Sequence, residues 1–227
     1  MGRLDQLQEL GFVPTEVELA SGYDLAYRGQ QGFTRPGTAL DHVEIHWHLL
    51  DVPYYLSQKP MDWFWDNSRH WEVGGQQTRI LNREANLLYL SAHLAVHHRL
   101  HGLRWFVDLA LLVQEELDWE QAIDAAGELE LLLALRETMD RLASYWPSLP
   151  LQEPRQRLQA AEPSAFERKL FRLLTTEPRS PFLDFYTDLV CLPDLPARLR
   201  FLLLNVFPRP SYMAARYHVD QPWRLPY

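Results

Sequence analysis

The sequence has one cysteine, Cys191, among its 227 residues. A single cysteine cannot form an internal disulfide and cannot anchor a cysteine-rich zinc site. Long apolar runs are missing too: the late run from Phe201 to Phe207 is far shorter than the roughly 20 residues that cross a bilayer. The opening MGRLDQLQELGF lacks the apolar segment of a signal peptide. These absences predict a cytoplasmic protein.

An excess of positive charge is also absent. Lys and Arg number 22 against 30 Asp and Glu, which gives a formal net charge of −8. This balance argues against unspecific binding of phosphate backbones, so the sequence carries no strong nucleic-acid signature. Hydrophobic residues make up 47% of the chain, which is enough to bury a sizeable core. Nothing in the composition predicts an oligomeric state.

Hydrophobic periodicity divides the chain into two parts. Residues 1–56 combine a short helix that ends at Gly11 with two β-like runs (TEVELA and YDLAYRG), a turn segment with room for an edge strand (QGFTRPG) and the strand HVEIHWHL. Residues 57–227 follow a helical period and end in a Pro- and aromatic-rich tail. We predict an α+β fold, mostly α: a small antiparallel sheet in 1–56 and a larger helical domain in 57–227.

The segment HVEIHWHLL, from His42 to Leu50, is the first candidate site. Strict alternation gives it an apolar face and a polar face, and the polar face holds Glu44, His46 and His48. A carboxylate with imidazoles suits zinc, manganese or iron, whereas carboxylates with waters suit magnesium. The simpler interpretation is an antiparallel strand with one solvated face.

The segment NREANLLYLSAHLAVHHRLHG is predicted to form a helix with Asn82 as its N-cap and Gly102 at its end. His93 and His97 are four residues apart, which is a metal-ligand spacing, and His101 continues the same stripe. The zinc-protease pattern requires Glu directly after the first His, and a leucine stands there instead. The alternative interpretation is that these histidines bind their neighbours or solvent.

The next segment, LRWFVDLALLVQEEL, is apolar nearly all round, which predicts a buried helix. Asp108 is the only charge within WFVDLALLV, and a buried carboxylate is costly unless it is paired. Arg104, four residues earlier, is one expected partner, and a histidine of the preceding helix is another. We expect a structural ion pair here, with a role in a site as the alternative.

Together these segments resemble a family of bacterial proteins known as uncharacterised nucleotidyltransferases. The resemblance extends from about Leu4 to Tyr217 and is carried by VEIHWHL, LLYLSAHLAVHH, LRWFVDLALLV, LDWEQAIDAA and RLRFLLLNVFPRPSYMAARY. It implies a polymerase-β-like core followed by a helical domain. It also implies Mg²⁺ as cofactor, an NTP as donor and an unknown hydroxyl acceptor, with two metal ions supporting in-line attack.

Enzymes of that kind hold their metals with three carboxylates, and the resemblance assigns the third of them to Glu44. The other two form an Asp-x-Asp or Asp-x-Glu pair, and no such pair precedes Glu44. Glu16-x-Glu18 and Glu128-x-Glu130 have the spacing, but the first follows the opening helix and the second falls within a predicted helix. We therefore expect that the chain lacks the N-terminal part of the core and is inactive alone. The alternative is a degenerate relative that keeps the scaffold for another purpose.

Two other functions are compatible with the sequence. A noncatalytic binding or scaffold protein would use the helical domain and the aromatic segment 61–71 as a partner surface. That segment contains Trp63, Phe64, Trp65 and Trp71. A metal-dependent hydrolase would need both histidine groups to meet in space, with the ligands Glu44, His46, His48, His93 and His97.

Overall fold

A computed structural model describes residues 2–37, 42–59, 61–178 and 180–218. In chain order the elements are α1 (Gly2–Glu9), β1 (Val13–Pro14), α2 (Tyr23–Tyr27), β2 (Gln30–Thr34), β3 (His42–His46), α3 (Pro53–Gln58), α4 (Asp62–Asp66), β4 (Ser68–Val73), β5 (Gln76–Leu81), α5 (Arg83–Val96), α6 (Leu103–Leu112), α7 (Trp119–Glu128), α8 (Leu132–Tyr145), α9 (Gln152–Ala160), α10 (Ala165–Thr175), α11 (Pro181–Cys191), α12 (Leu195–Val206) and α13 (Pro210–Tyr217). The fold is α+β and mostly α, as predicted.

The chain packs as two units. Unit 1 comprises Met1–Lys59 with Asp188–Tyr227, and unit 2 comprises Pro60–Thr187. The structure thus groups the last part of the chain with the N-terminal residues, whereas the sequence pattern placed all of 57–227 in one helical domain. Throughout the described ranges, no helix combines the length and apolar character that spanning a membrane requires.

Unit 1 contains a three-stranded antiparallel sheet with the order β1-β2-β3. The strand predicted at QGFTRPG exists, but it is the central strand β2 rather than an edge strand. The strands predicted at TEVELA and YDLAYRG are wrong, since the first stretch contains no strand and the second is the helix α2. The helix places Tyr23 and Tyr27, four residues apart, on one side, where both pack against the buried ring of Phe201.

The core of unit 2 forms around α5, which packs against α6, α7, α8 and α10. Asn82 caps α5 as predicted, because its side chain accepts a hydrogen bond from the Ala85 N–H at 2.8 Å. The predicted end at Gly102 is wrong: α5 ends at Val96. Arg99 and Leu100 adopt φ values of 47° and 60°, and the Leu100 N–H closes the helix end on the Leu94 carbonyl at 2.9 Å.

A hairpin formed by β4 and β5 was not predicted. Gly74 and Gly75 connect its strands with φ values of 57° and 78°, a conformation that glycine adopts easily in tight hairpin turns. The sequence signal was the Gly-Gly dipeptide between two runs of strand-forming residues. Residues Gln152–Ala160 form α9, although the segment PSLPLQEPRQRL that leads into this helix contains three prolines.

The predicted burial of α6 is wrong as well. Phe106 and Leu109 are buried, but Leu103, Val107 and Leu111 keep 59%, 43% and 62% of their surface exposed. An apolar sequence therefore does not make this helix a core helix, because only one of its sides faces the other helices of unit 2.

Candidate functional site

Glu44 lies at the middle of β3, on the solvent-facing side of the unit 1 sheet. Alternation along β3 places His42 and His46 on the same side as Glu44, and Val43 and Ile45 on the other. The register with β2 puts Gly32 directly opposite Glu44. The residue opposite Val43 is Phe33, which is almost fully buried. Burial of this side therefore fixes the register and directs Glu44 outward.

Two imidazoles flank the Glu44 carboxylate. His42 Nε2 lies 3.3 Å from Oε1, and His46 Nε2 lies 3.5 Å from Oε2. The hydrogen bond from His42 lowers the pKa of Glu44, burial opposes this effect, and His46 lowers the pKa further. The side chain keeps 48% of its surface exposed, so an ionised carboxylate is accessible to ligands from solution.

Glu44 opens into a polar pocket of about 520 Å³ within unit 1. The pocket is lined by Thr15, Glu16, Asp24, Arg28, Gln30, Gln31, Gly32, His42, Glu44 and Asp51. Four of these residues are carboxylates, whereas Arg28 is the only Lys or Arg among them. An acidic, open pocket attracts cations.

The other acidic residues of the pocket differ in their surroundings. Burial raises the pKa of Asp24, and the nearby Glu18 raises it further. Asp51 accepts a hydrogen bond from the Gly29 N–H at 2.6 Å and is therefore tied to the turn before β2. Glu44 is thus the pocket carboxylate whose pKa is lowered and whose side chain projects from a regular strand.

Gly32 shapes the floor of this pocket. A Cβ atom at this position would lie 2.7 Å from Thr15 Oγ1 and 3.2 Å from the His42 ring. A side chain here would therefore force the Thr15 side chain, next to β1, and the His42 ring, at the start of β3, to move away from β2. Gly32 was not predicted as a site residue, although an isolated glycine in a strand is a recognised signal of close approach.

Glu16 was not predicted as a site residue, because it follows the opening helix. The structure brings Glu16 into the pocket of Glu44, whereas Glu18 accepts a hydrogen bond from the Asp24 N–H at 3.2 Å. The pocket roles of Glu16, Asp24 and Asp51 depend on the antiparallel pairing of distant segments. No local spacing in the sequence signals them.

An Asp-x-Glu pair that sequence analysis passed over lies in unit 2, at Asp118 and Glu120. Asp118 is the N-cap of α7 and accepts a hydrogen bond from the Gln121 N–H at 3.0 Å. Glu120 lies 3.6 Å from Arg157 Nη2. Both carboxylates therefore serve helix capping and ion pairing, not the pocket of Glu44.

His48 does not continue the polar row, because β3 ends at His46 and the chain turns inward. The His48 ring is buried between backbone groups. Its Nδ1 accepts a hydrogen bond from the Leu50 N–H at 3.0 Å, and its Nε2 donates to the Lys59 carbonyl at 3.0 Å. Nδ1 also lies 3.0 Å from the Leu50 carbonyl oxygen, so backbone groups occupy both ring nitrogens and leave neither for a metal ion. The row predicted from alternation is therefore shorter by one residue.

The histidines of unit 2 form an aromatic cluster. His93 stacks against His97 with a centroid distance of 4.9 Å, and its Nε2 lies 3.1 Å from that of His98. Burial lowers the pKa of His98, and Arg104 adds to this effect. His101 lies outside α5 and 3.8 Å from Glu177, so the predicted stripe ends at His97.

Arg104 and Asp108 do not form the predicted ion pair in the described part of the chain. The Arg104 guanidinium lies 4.5 Å from the centre of the Trp105 ring. Asp108 is exposed on α6 instead of buried, so solvent can satisfy its charge and the reason for a partner disappears. Across the residues that the structure describes, no group of three His, Cys, Asp or Glu side chains could hold a metal ion.

Comparison with known proteins gives one positive result. A model of a family described as uncharacterised nucleotidyltransferase matches residues 4–147, which include Glu44, the pocket carboxylates and α5 to α8. The match ends before the C-terminal section for which a resemblance was also noted. No curated protein and no solved structure matches the chain. Since the matched segment covers more than half of the sequence, this protein belongs to the uncharacterised nucleotidyltransferase family.

Proposed function

We propose that the protein takes part in nucleotidyl transfer, in which a nucleoside monophosphate moves from an NTP to a hydroxyl acceptor. Glu44 would be one of the carboxylates that hold Mg²⁺. The observation that carries the proposal is the position of Glu44: an exposed carboxylate with a lowered pKa, in an acidic pocket, within the segment that matches the family. The single cysteine supports a cytoplasmic location.

Magnesium prefers carboxylate oxygens and water, and Glu44 offers such a ligand. The described residues do not form a complete site, however, because no three ligand side chains lie close enough together. When bound, the metal ions would neutralise the triphosphate charge and activate the acceptor hydroxyl. Glu44 would supply one ligand, and the other carboxylates of the pocket are not placed close enough in the described structure to complete a metal site with it.

The topology offers a place for further carboxylates. In the described sheet, β3 pairs with β2 on one edge, and no described strand pairs with its other edge. Residues directly opposite each other on adjacent strands have Cβ atoms about 5 Å apart. A carboxylate-bearing strand that pairs with β3 would therefore place its side chains beside Glu44. Such an arrangement agrees with the family resemblance, which assigns Glu44 to a strand next to the Asp-x-Asp or Asp-x-Glu pair.

Calorimetric titration with Mg²⁺ and each of the four NTPs tests this proposal. We expect weak, saturable binding of at least one Mg–NTP complex, and at least a tenfold loss of affinity in Glu44→Gln, because the amide removes the ligand charge. Glu72→Gln, at an exposed position of the β4–β5 hairpin, is the matched control and should bind like the wild type. Equal binding by Glu44→Gln would refute the role of Glu44.

A noncatalytic binding protein is the second candidate, and the β4–β5 region favours it. Trp65 and Trp71 keep 51% and 47% of their surface exposed, although Phe64, directly before Trp65, is buried. The guanidinium of Arg79 lies 6.0 Å from the Trp65 ring, and that of Arg69 lies 5.1 Å from the Trp71 ring. Exposed tryptophans of this kind are frequent anchors of protein interfaces. Absence of any Mg–NTP binding in the titration would favour this candidate.

The hydrolase hypothesis receives no such support. Both nitrogens of His48 bind backbone groups, and in the described residues the ligand set that it requires is not assembled. Elemental analysis of the purified protein tests it directly, because the hypothesis requires stoichiometric zinc, manganese or iron.

A further inference from the structure

Unit 1 carries an apolar stripe on α12. The stripe consists of five large side chains with exposed fractions between 50% and 74%: Leu195, Leu199, Leu203, Val206 and Phe207. The opposite side of α12 is occupied within the unit, since Phe201 is buried against Tyr23 and Tyr27. Asn205 also donates a hydrogen bond to the Tyr23 hydroxyl at 3.2 Å. The core contacts therefore hold α12 in an orientation that leaves the stripe facing outward.

We propose that the α12 stripe is the interface of a homodimer, in which α12 packs antiparallel against α12 of a second copy. A two-fold axis requires that each residue and its partner lie equally far from the centre of the helix pair. The stripe meets this condition around position 201: Leu195 and Phe207 lie on either side of it at equal distance, as do Leu199 and Leu203. Leu195 would meet the partner's Phe207, and Leu199 would meet the partner's Leu203.

The available area agrees with a weak dimer. Burial of a large apolar side chain removes on the order of 100 Å² from water. Five such side chains from each copy would bury about 1,000 Å² in total, which is near the lower limit of specific protein interfaces. Single exposed apolar side chains are common, but these three leucines, one valine and one phenylalanine form a patch of the size that marks interaction sites. We therefore expect dissociation in the micromolar range.

The charges of the chain oppose this association mildly. Each copy has a net charge of −8, and the exposed Arg200 on the flank of the stripe would approach the partner's Arg200. The Debye length is about 10 Å at 0.1 M ionic strength, so added salt weakens this repulsion between the two copies. The proposed dimer should therefore become stronger as salt is added, whereas an assembly held by ion pairs would become weaker.

Sedimentation equilibrium of the full chain between 5 and about 200 µM tests the proposal. The wild type should move from the monomer mass of 26.7 kDa toward twice that value. Leu199→Glu combined with Leu203→Glu should remain monomeric throughout. Leu103→Glu combined with Leu111→Glu, a matched pair of changes on the exposed side of α6, should dimerise like the wild type. Circular dichroism confirms that both variants are folded.

A wild type that stays at the monomer mass overturns the proposal, and so does an α12 variant that still dimerises. Cysteine crosslinking adds a readout of the geometry. Leu199→Cys combined with Leu203→Cys should give a covalent dimer on oxidation, because each new cysteine would face its counterpart in the partner. Cys191 does not compete, since it is buried and burial raises the pKa of its thiol to about 11. Failure to crosslink in a protein that does dimerise would exclude the antiparallel arrangement.

Discussion

The two units each contain a distinctive glutamate, and the surroundings of the two are opposite. Glu44 of unit 1 is about half exposed, and hydrogen bonds from His42 and His46 lower its pKa. Glu167 of unit 2 is only 1% exposed, and burial raises its pKa although the Leu133 N–H donates to its Oε1 at 2.6 Å. The Glu44 carboxylate stays charged and accessible. The Glu167 carboxyl group is buried and accepts a hydrogen bond from the first turn of α8.

This contrast indicates that the polar side chains serve stability in unit 2 and binding in unit 1. Unit 2 uses polar side chains mainly to satisfy helix ends, as Asn82, Asp118 and Ser164 do for α5, α7 and α10. Unit 1 gathers four carboxylates around a pocket and ties only part of them to the backbone. A substitution in the core of unit 2 should therefore affect folding, and one in the pocket should affect binding.

The largest effect is expected in the core around α5. Leu135 of α8 is completely buried, and Leu135→Ala should lower the free energy of unfolding by about 2–5 kcal/mol, since it creates a cavity. Urea denaturation followed by circular dichroism measures the change. Leu103→Ala, at a 59% exposed position of the same unit, should stay within about 0.5 kcal/mol of the wild type. Similar losses in both variants would contradict the burial of Leu135.

Glu167 provides a second, pH-dependent test. Glu167→Ala should lower the free energy of unfolding by about 2 kcal/mol, because the first turn of α8 loses the acceptor of the Leu133 N–H. Glu167→Gln keeps that acceptor and removes a buried charge. It should raise the free energy of unfolding at pH 8 by about 1 kcal/mol.

The sign of this pH dependence follows from the raised pKa. The folded state binds the Glu167 proton more tightly than the unfolded state, so the wild type is favoured below the unfolded pKa. This advantage is lost as pH rises through the folded pKa. The free energy of unfolding of Glu167→Gln, relative to that of the wild type, should thus increase between pH 4 and pH 8. A stability difference that stays constant over that range would show that the carboxyl group does not titrate.

Alanine variants of His48 and His46 compare the stability contributions of a buried and a partly exposed histidine within unit 1. His48→Ala should lower the free energy of unfolding by about 1–2 kcal/mol, because it leaves the Leu50 N–H and the Lys59 carbonyl without their partner. His46→Ala removes only a partly exposed ring beside Glu44 and should change stability by less than about 0.5 kcal/mol. Thermal denaturation of both variants gives the comparison. Equal losses would mean that His46 also supports the fold.

Particular residues show how much of the structure can be predicted from the sequence. The helix around His93, the strand around Glu44 and the outward direction of Glu44 follow from local periodicity, and all three are confirmed. A strand was predicted at YDLAYRG, but the segment forms the helix α2. In this helix Tyr23 and Tyr27 both pack on Phe201, which is about 175 residues away in the sequence. The inward turn at His48 depends on the Lys59 carbonyl.

The candidate site was predictable only in part for the same reason. Glu44 could be found from its strand and the family resemblance, but Glu16 reaches the pocket through the pairing of β1 with β2, and Gly32 through the pairing of β2 with β3. The burial of Asp108 was predicted from an apolar neighbourhood in sequence. Its exposure is decided by which side of α6 meets the other helices, and composition does not contain that information.

The smallest effect on stability is expected for Glu44→Gln, and it should have the opposite sign to that of Glu167→Gln. The lowered pKa of Glu44 means that its ionised form favours the folded state above the unfolded pKa, and that this contribution is lost as pH falls through the folded pKa. The group is about half exposed, so solvent screens its contacts. Glu44→Gln should therefore lower the free energy of unfolding at pH 7 by no more than about 0.5 kcal/mol, and by nothing measurable near pH 3. Thermal denaturation of the two glutamine variants side by side measures both signs in one experiment. A large loss at pH 7 would make Glu44 a structural residue like His48, and the contrast between an accessible and a withdrawn carboxylate would no longer hold.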